Sequence, residues 1–147
     1  MGSVIAAMET KVTGQTQSAG FQIGVRRTLP ITREQAWAYV TSADGIRQWL
    51  GEGAELHFEP KYRYRTGSGA EGEVRVVKPQ QQLRLTWQKP GWAKPSTIQI
   101  RLIENGSGKT TVSFHQENLA DATAREAMKQ HWEEVLQHML NHTNNGV

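Results

Sequence analysis

Histidines are the side chains of this sequence that can exchange protons close to neutral pH, and there are five of them. His131, His138 and His142 are separated by seven and four residues, so a helix would carry them on one side. Two histidines at positions i and i+4 can chelate a metal, but no carboxylate of the HExxH kind accompanies His138 and His142. Neither His131 nor His115 is accompanied by a nucleophile and an orienting group. We therefore predict no metal site and no dedicated catalytic centre.

A basic segment at residues 61–65, KYRYR, is the second set of residues with suggestive chemistry. Alternation along a strand points Tyr62 and Tyr64 to one face and the cations to the other. Proteins that bind single-stranded nucleic acid need aromatic and basic groups on the same exposed face. The net charge of +3 is also modest for a nucleic-acid binder. The pattern therefore predicts no nucleic-acid site, and it leaves a solvated face or an acidic protein partner as alternatives.

Length and composition limit the class of protein. A chain of 147 residues, of which 37% are hydrophobic, is expected to form one domain with a real core. No apolar run approaches the roughly 20 residues needed to cross a membrane. The N-terminal segment MGSVIAAMETK has no basic residue before its short apolar run, which argues against a secretory signal. The lack of cysteine excludes disulfides and thiolate metal sites and fits a reducing compartment. We therefore predict a cytoplasmic protein without membrane insertion.

The elements that would position the candidate residues begin after residue 19. Residues 1–19 are rich in Gly, Ser, Thr and Gln and are predicted to be a flexible arm, followed by a single domain at 20–145. FQIGVRRTL then alternates like a strand. Thr32 and Gln35 form a capping-box pattern that opens a short helix, and the sequence ADG separates it from a second short helix.

The apolar period changes to two between residues 54 and 116, which predicts about six strands. Clean alternation of this kind is typical of an antiparallel sheet with one wet face. The residues predicted to face inward are Leu56, Phe58, Tyr62, Tyr64, Val74, Val76, Leu83, Leu85, Trp87, Ile98, Ile100, Leu102, Val112 and Phe114.

A helical period returns in the stretch from 118 to 141. Apolar residues recur there at spacings of three and four, which is the period of one helix face. They are Met128, Trp132, Leu136 and Met139. Asn118 or Asp121 is expected to cap this helix. A long helix with large side chains after a many-stranded sheet predicts a helix gripped by that sheet.

Four segments, in order, resemble the proteins homologous to the C-terminal domain of the heat-shock-protein-90 ATPase activator. The segments are ITREQAWAYVTSADGIRQWLG, GEVRVVKPQQQLRLTW, PSTIQIRLIENGSGKTTVSFHQENL and HWEEVLQHML. The resemblance covers roughly residues 21–143 and departs at HFEPKYRYRTGSG, where the family often has a Gly-Gly pair. It implies the START-like, or birch-pollen-allergen-like, helix-grip superfamily. The expected fold is α+β, with a curved antiparallel sheet of about six to seven strands around a long C-terminal helix and two short helices after strand one.

The resemblance also implies a cavity, because many members of that superfamily bind apolar or aromatic molecules between sheet and helix. Such pockets are mostly apolar with a few polar anchors. The expected ligand-binding residues are Trp49, Tyr62, Tyr64, Trp87, Ile100, Phe114, Met128, His131 and Val135. The alternative is that these side chains only pack the core, since burial of one large aromatic contributes about 2–3 kcal/mol. Trp92, in the loop KPGWAKP, is either a lid or contact patch, or an anchor for that loop.

The lead hypothesis is a non-catalytic module that binds a small apolar or aromatic molecule and uses no cofactor. The second hypothesis, suggested by the family, is a co-chaperone-like regulator of the heat-shock-protein-90 ATPase with a role in the stress response. The third is a cyclase or hydratase that uses His131 or Tyr62 in the same cavity. The sequence leaves open whether the protein has a protein partner, or forms a homodimer through a sheet edge or Trp92.

Overall fold

The computed structural model describes residues 15–16 and 20–146. Over these residues the chain forms, in order, the strands β1 (Gln15–Thr16) and β2 (Gly20–Leu29), the helices α1 (Arg33–Thr41) and α2 (Ala43–Trp49), the strands β3 (Arg63–Arg65), β4 (Glu71–Lys78), β5 (Gln82–Trp87), β6 (Ser96–Glu104) and β7 (Thr110–Leu119), and the helix α3 (Ala122–Gly146). The predicted arm at 1–19 lies outside the described residues except for β1.

All neighbouring strands pair antiparallel, in the order β1-β2-β7-β6-β5-β4-β3. The last strand in sequence, β7, pairs with the first long strand, β2, and α3 packs across these two strands. The predicted α+β helix-grip fold is confirmed. Within the described residues, no helix is long and apolar enough to span a membrane.

The apolar face of α3 is the one that the helical period predicts. Met128, Trp132, Leu136 and Met139 are all buried against the sheet. The helix starts at Ala122, and Oδ1 of the preceding aspartate, Asp121, accepts a hydrogen bond of 2.8 Å from the backbone N–H of Ala124. Asp121 rather than Asn118 is therefore the cap, because Asn118 lies in β7 with a positive φ of 65°.

One serine joins the two short helices. The hydroxyl of Ser42 donates to the carbonyl of Tyr39 at 2.7 Å and accepts from the backbone N–H of Gly45 at 3.0 Å. Ser42 thus ends α1 and caps α2, and the predicted break between two helices is confirmed. A Cβ on Gly45 would lie 1.8 Å from the Tyr39 carbonyl oxygen, so this junction requires glycine. The predicted capping box of Thr32 with the N3 glutamine is also present.

The segment before β3 is not the strand that its alternation predicts. Residues 51–62 form an irregular loop, and Leu56 and Phe58 pack half-buried against the core from that loop. The N–H of Lys61 still donates to the Val74 carbonyl at 2.8 Å, but Lys61 has a positive φ of 76° and Pro60 has no N–H to donate, so regular pairing ends at these residues. The strand is shortened to Arg63–Arg65.

A bulge in β4 overturns one inward assignment. Val74 pairs with Leu85, but the next residues shift so that Val76 pairs with Arg84 and Val77 with Leu83. Since the side chain of Arg84 is exposed, Val76 lies on the outer face, and Val77 packs against the core in its place. The prediction for Val76 is therefore wrong by one residue of register.

Candidate functional site

The space between sheet and helix is closed at its centre by two aromatic rings. Phe114 on β7 and Trp132 on α3 stack with centroids 4.6 Å apart and ring planes 18° apart, and both are 0% exposed. Ile100 on β6 and Val135 on α3 are also fully buried in this core. Phe114, Ile100 and Val135, which were predicted to bind a ligand, therefore pack in the hydrophobic core together with Trp132.

A buried chain of hydrogen bonds runs from this ring pair to Trp87, the last residue of β5. Nε1 of Trp132 donates to Oε1 of Gln116 at 2.9 Å, and Nε2 of Gln116 donates to the Ser96 hydroxyl at 2.8 Å. The Ser96 hydroxyl in turn donates to the Trp87 carbonyl at 2.7 Å. Gln116 is fully buried, and the sequence reasoning missed it. The sequence could have predicted its burial, because Gln116 follows Val112 and Phe114 at a spacing of two residues and so lies on the same inward face of β7.

The indole N–H of Trp87 has no hydrogen-bond acceptor among the described residues. Among the side-chain nitrogen and oxygen atoms of the described residues, its Nε1 is sealed from solvent without any hydrogen-bond acceptor. Its ring is half-buried and meets the edge of Trp92 at 5.5 Å, with the two ring planes at 88°. A sealed and unpaired donor costs about 1–3 kcal/mol, so this position needs an explanation that the packing alone does not provide.

The loop at 88–95 covers that indole. Its first residue, Gln88, is fixed to β4 by two backbone hydrogen bonds with Glu71, at 2.9 and 3.0 Å. Within the loop, Nε2 of Gln88 donates to the Trp92 carbonyl at 2.7 Å and the Trp92 N–H donates to the Lys89 carbonyl at 3.1 Å. Gly91 turns the loop with a φ of 89°. The half-buried Trp92 also borders a surface cavity of about 380 Å³ beside Leu119.

His131 ties α3 to α2. Its Nε2 lies 3.0 Å from the carbonyl oxygen of Trp49, and its ring meets the edge of Trp132 at 4.7 Å. Burial lowers the pKa of His131, and the positive charge of Lys89 lowers it further, against the raising effects of the Trp49 carbonyl and Glu134. The imidazole is thus held neutral and donates its Nε2–H to Trp49, which makes it a structural link rather than an acid.

The two predicted tyrosine anchors are already engaged. The hydroxyl of buried Tyr64 donates to the Thr86 carbonyl, and burial raises the pKa of Tyr64. The hydroxyl of Tyr62 donates to the Glu55 carbonyl at 3.1 Å, and its ring packs on that of His57 at 4.7 Å. Neither hydroxyl is presented to an interior space.

The nine predicted ligand-binding residues therefore divide into two groups. The buried group belongs to the core, and its members are Trp49, Tyr64, Ile100, Phe114, Met128 and Val135. The half-buried group lies at the margins, and its members are Tyr62, Trp87 and His131. His131 and Trp49 are in direct contact, whereas Tyr62 is held in the loop before β3.

Two further surface cavities lie away from all nine residues. One of about 480 Å³ runs between β2 and α3 and has a charged lining that includes Arg27 and Glu133. The other, of about 390 Å³, lies between α1 and the end of α3, beside Tyr39 and Met139. No group of three or more His, Cys, Asp or Glu side chains that could hold a metal occurs in the described part of the chain.

Two of the cations on the outer sheet face have polar or acidic neighbours. Nη2 of Arg84 donates to Oε1 of Gln99 at 2.6 Å, and Arg65 lies 3.6 Å from Glu71. With Tyr64 buried on the opposite side, aromatic and basic groups of this strand are separated, as the alternation predicts. The arrangement lacks the mixed surface on which nucleic-acid bases stack.

Known proteins share this fold and parts of the sequence. The family described as Activator of Hsp90 ATPase homolog 1-like protein matches residues 30–143. No curated protein matches the chain. A solved structure of a protein from Mesorhizobium loti is 20% identical, with a TM-score of 0.73, and the match covers 86% of this chain and 98% of that one.

Two other solved structures of this fold carry descriptive titles. An HSP90 activator from Plasmodium falciparum is 18% identical, with a TM-score of 0.69 and coverage of 81% of this chain and 92% of that one. The Aha1 dimer from Colwellia psychrerythraea is 20% identical, with a TM-score of 0.67 and coverage of 85% and 97%. At such identities the likeness concerns the fold, and it agrees with the helix-grip architecture. The family match, which spans most of the length, carries the identification: the chain belongs to the family of Activator of Hsp90 ATPase homolog 1-like proteins.

Proposed function

We propose that the protein binds a small apolar or aromatic molecule, bearing one hydrogen-bond-accepting oxygen, at the corner formed by Trp87 and Trp92. The observation that carries the proposal is the sealed indole N–H of Trp87, which has no acceptor among the described residues. An oxygen atom of a ligand would supply that acceptor. The proposal moves the ligand from the centre of the grip, where Phe114 and Trp132 stack, to the margin of the sheet.

The loop at 88–95 supports this assignment because only its first residue is hydrogen-bonded to the sheet. Gln88 forms two backbone hydrogen bonds with Glu71, at 2.9 and 3.0 Å, whereas the hydrogen bonds of Trp92 go to Gln88 and Lys89 within the loop. Displacement of Trp92 would uncover the indole of Trp87 and leave an aromatic wall for a flat ligand. The charge of Lys89 acts on His131, so the loop lies close to the junction of α2 and α3, where Trp49 is buried. In this proposal Trp87 orients the ligand, and the six buried residues support the site from behind.

The test compares two ligands that differ in one oxygen. We expect 2-acetonaphthone, which has a carbonyl acceptor, to bind about 2- to 10-fold more tightly than 2-isopropylnaphthalene, as one net hydrogen bond allows. Binding should shift the indole N–H resonance of Trp87 in a ¹⁵N-labelled sample. Trp87→Phe should remove the preference between the two ligands.

Trp37→Phe is the matched control, because Trp37 is also half-buried but lies on α1 and packs against Phe58. It should leave the preference intact. If neither naphthalene binds saturably, or if both bind equally well to the wild-type protein, the proposed role of the Trp87 indole is wrong.

Membership of the family favours a second candidate, a regulator of the heat-shock-protein-90 ATPase, and a relative of the same fold is titled an HSP90 activator. Addition of the purified chain to such a chaperone should then raise ATP turnover in proportion to stoichiometry. Unchanged turnover at a several-fold excess of this chain would remove the candidate.

The Colwellia relative is described as a dimer, so we also propose that this chain self-associates, which sedimentation velocity can measure.

The enzymatic alternative has less support from the geometry. Nε2 of His131 and the hydroxyl of Tyr62 both contact backbone carbonyls, so neither atom is free to move a proton to or from a substrate. We therefore propose a binding module in the cytoplasm rather than a cyclase or hydratase.

A further inference from the structure

A second pocket lies at the opposite end of the molecule from the Trp92 loop, between α1 and the last turns of α3. Its volume of about 390 Å³ is at the lower end of the range for small-molecule sites, which suits a ligand of one or two rings. The floor is apolar and well buried, and is formed by Ile31, Tyr39 and Met139. The rim is exposed and includes Ala38 and His142.

The polar groups of this pocket divide into those already used and those still available. Ser42 caps α2, and the hydroxyl of Thr143 donates to the Met139 carbonyl at 2.9 Å, so both have partners within the fold. The Tyr39 hydroxyl and the His142 ring nitrogens form no hydrogen bond within the described part of the chain, although the two rings pack at 5.3 Å.

The available groups share one property, which is that each can accept a hydrogen bond. A carboxylate only accepts, a phenol oxygen accepts, and a neutral imidazole accepts through one nitrogen. Asp44 supplies the carboxylate at the rim. Its charge reaches the interior of the pocket, because the pKa of Tyr39 is raised first by burial and then by Asp44.

We propose that this pocket binds a small organic amine, with its apolar ring on Tyr39 and Met139 and its ammonium group directed at Asp44. An ammonium group has three donors and no acceptor, which complements the three accepting groups. An anionic ligand of the same shape is repelled by Asp44. This site is separate from the one proposed at Trp87, and it takes a different class of ligand.

The existing partner of Asp44 does not prevent this. Arg47 forms an ion pair with Asp44 one helical turn away, and both side chains are substantially exposed. Exposed pairs of this kind contribute little to stability, so loss of the Arg47 contact opposes ligand binding only weakly. Arg47 also lies 4.0 Å from Glu52, which remains available to it after the exchange.

The experiment uses three indoles of nearly equal shape: tryptamine, a cation; tryptophol, its neutral alcohol; and indole-3-acetate, an anion. Titrations by calorimetry should rank tryptamine first and indole-3-acetate last. In a sample with ¹³C-labelled methionine methyl groups, tryptamine should shift the signal of Met139 and leave that of Met128 in place. The full-length chain is used throughout.

Two variants locate the site. Asp44→Asn should weaken tryptamine binding at least 5-fold while leaving tryptophol unchanged. Ala38→Trp, at an exposed rim position, should abolish the binding of both. Ala127→Trp, at an exposed position of α3 outside the pocket, is the matched control and should bind as the wild type does.

The proposal is overturned if tryptamine does not bind saturably, if it binds no better than tryptophol, or if Asp44→Asn leaves its affinity unchanged. A shift of Met128 instead of Met139 would also overturn it, since the ligand would then occupy the side of the helix near the sheet centre. The proposal is also overturned if tryptamine still binds the Ala38→Trp variant.

Discussion

The indole nitrogen of Trp132 lies 2.9 Å from Oε1 of Gln116, and this contact joins the gripped helix to the last strand of the sheet. Both residues are 0% exposed. We expect Gln116→Leu to lower the free energy of unfolding by about 1–3 kcal/mol, because it leaves a buried indole N–H without an acceptor. Urea denaturation measures the change. Gln99→Leu, on the outer face of β6, is the control and should change stability much less. Equal losses in the two variants would contradict the proposed importance of the contact.

The junction of the two short helices gives a second expectation. Gly45→Ala would place a methyl group 1.8 Å from the Tyr39 carbonyl oxygen, a backbone atom that cannot move aside without disturbing the helix end. We expect a loss of about 3 kcal/mol or more, at or above the upper end for overpacked positions. Gly24→Ala is the matched control, since its Cβ would meet the nearest atom at an ordinary 3.7 Å. Thermal unfolding followed by circular dichroism separates the two cases, and similar midpoints would refute the steric argument.

The neutral state of His131 makes stability depend on pH. Its pKa lies below the ordinary value of 6.5, chiefly because of burial, so the unfolded chain binds a proton that the folded chain does not accept. Stability should therefore fall as pH drops below 6.5, with a slope that cannot exceed about 1.4 kcal/mol per pH unit for one proton.

The comparison for this effect is His131→Gln, which keeps an N–H donor for the Trp49 carbonyl but does not titrate. We expect its stability profile between pH 5 and 7, roughly the window in which histidine titrates, to be flatter than that of the wild type. His138→Gln, at an exposed position of the same helix, should leave the wild-type slope unchanged. A wild-type profile that stays flat below pH 6.5 would contradict the assignment.

The start of α3 provides a fourth expectation. Asp121→Ala removes the acceptor for the Ala124 N–H, so we expect a loss of about 0.5–2 kcal/mol in the free energy of unfolding. Glu126→Ala, at an exposed position within the same helix, should have a smaller effect. Chemical denaturation of the two variants provides the measurement. If Glu126→Ala proves the more damaging of the two, Asp121 does not act as the cap.

Periodicity predicted the parts of the fold in which one face is buried without interruption. The spacing of Met128, Trp132 and Leu136 placed the apolar face of α3 correctly, because a helix packed along its length must bury one stripe. Ile98 and Ile100 were likewise assigned correctly, since β6 has neighbours on both sides and no irregularity in its register.

Alternation failed where the backbone departs from regular pairing. Leu56 and Phe58 satisfy the period of a strand, but the positive φ of Lys61 and the missing N–H of Pro60 turn that segment into a loop. The bulge in β4 exchanges the roles of Val76 and its successor. These features depend on pairing between segments distant in sequence, which a count of apolar positions does not contain.

The candidate site was the least predictable part. An inward aromatic side chain can line a hollow or fill it, and the alternation of Phe114 is the same in both cases. What separates the two outcomes is the ring of Trp132 on another element, which occupies the space in front of Phe114. The unpaired indole N–H of Trp87 could not be predicted from the sequence either. It depends on the lack of an acceptor in all of the described segments that pack around Trp87.

The double use of the Ser42 hydroxyl has a mechanical consequence. Since one oxygen both terminates α1 and initiates α2, a change in the angle between them breaks the end of each. The angle between the two helices is thus held rigid, and α2 is anchored further because its Trp49 carbonyl accepts a hydrogen bond from His131 on α3. In the proposed binding mode, a ligand would therefore enter at the Trp92 loop, where the hydrogen bonds beyond Gln88 lie within the loop.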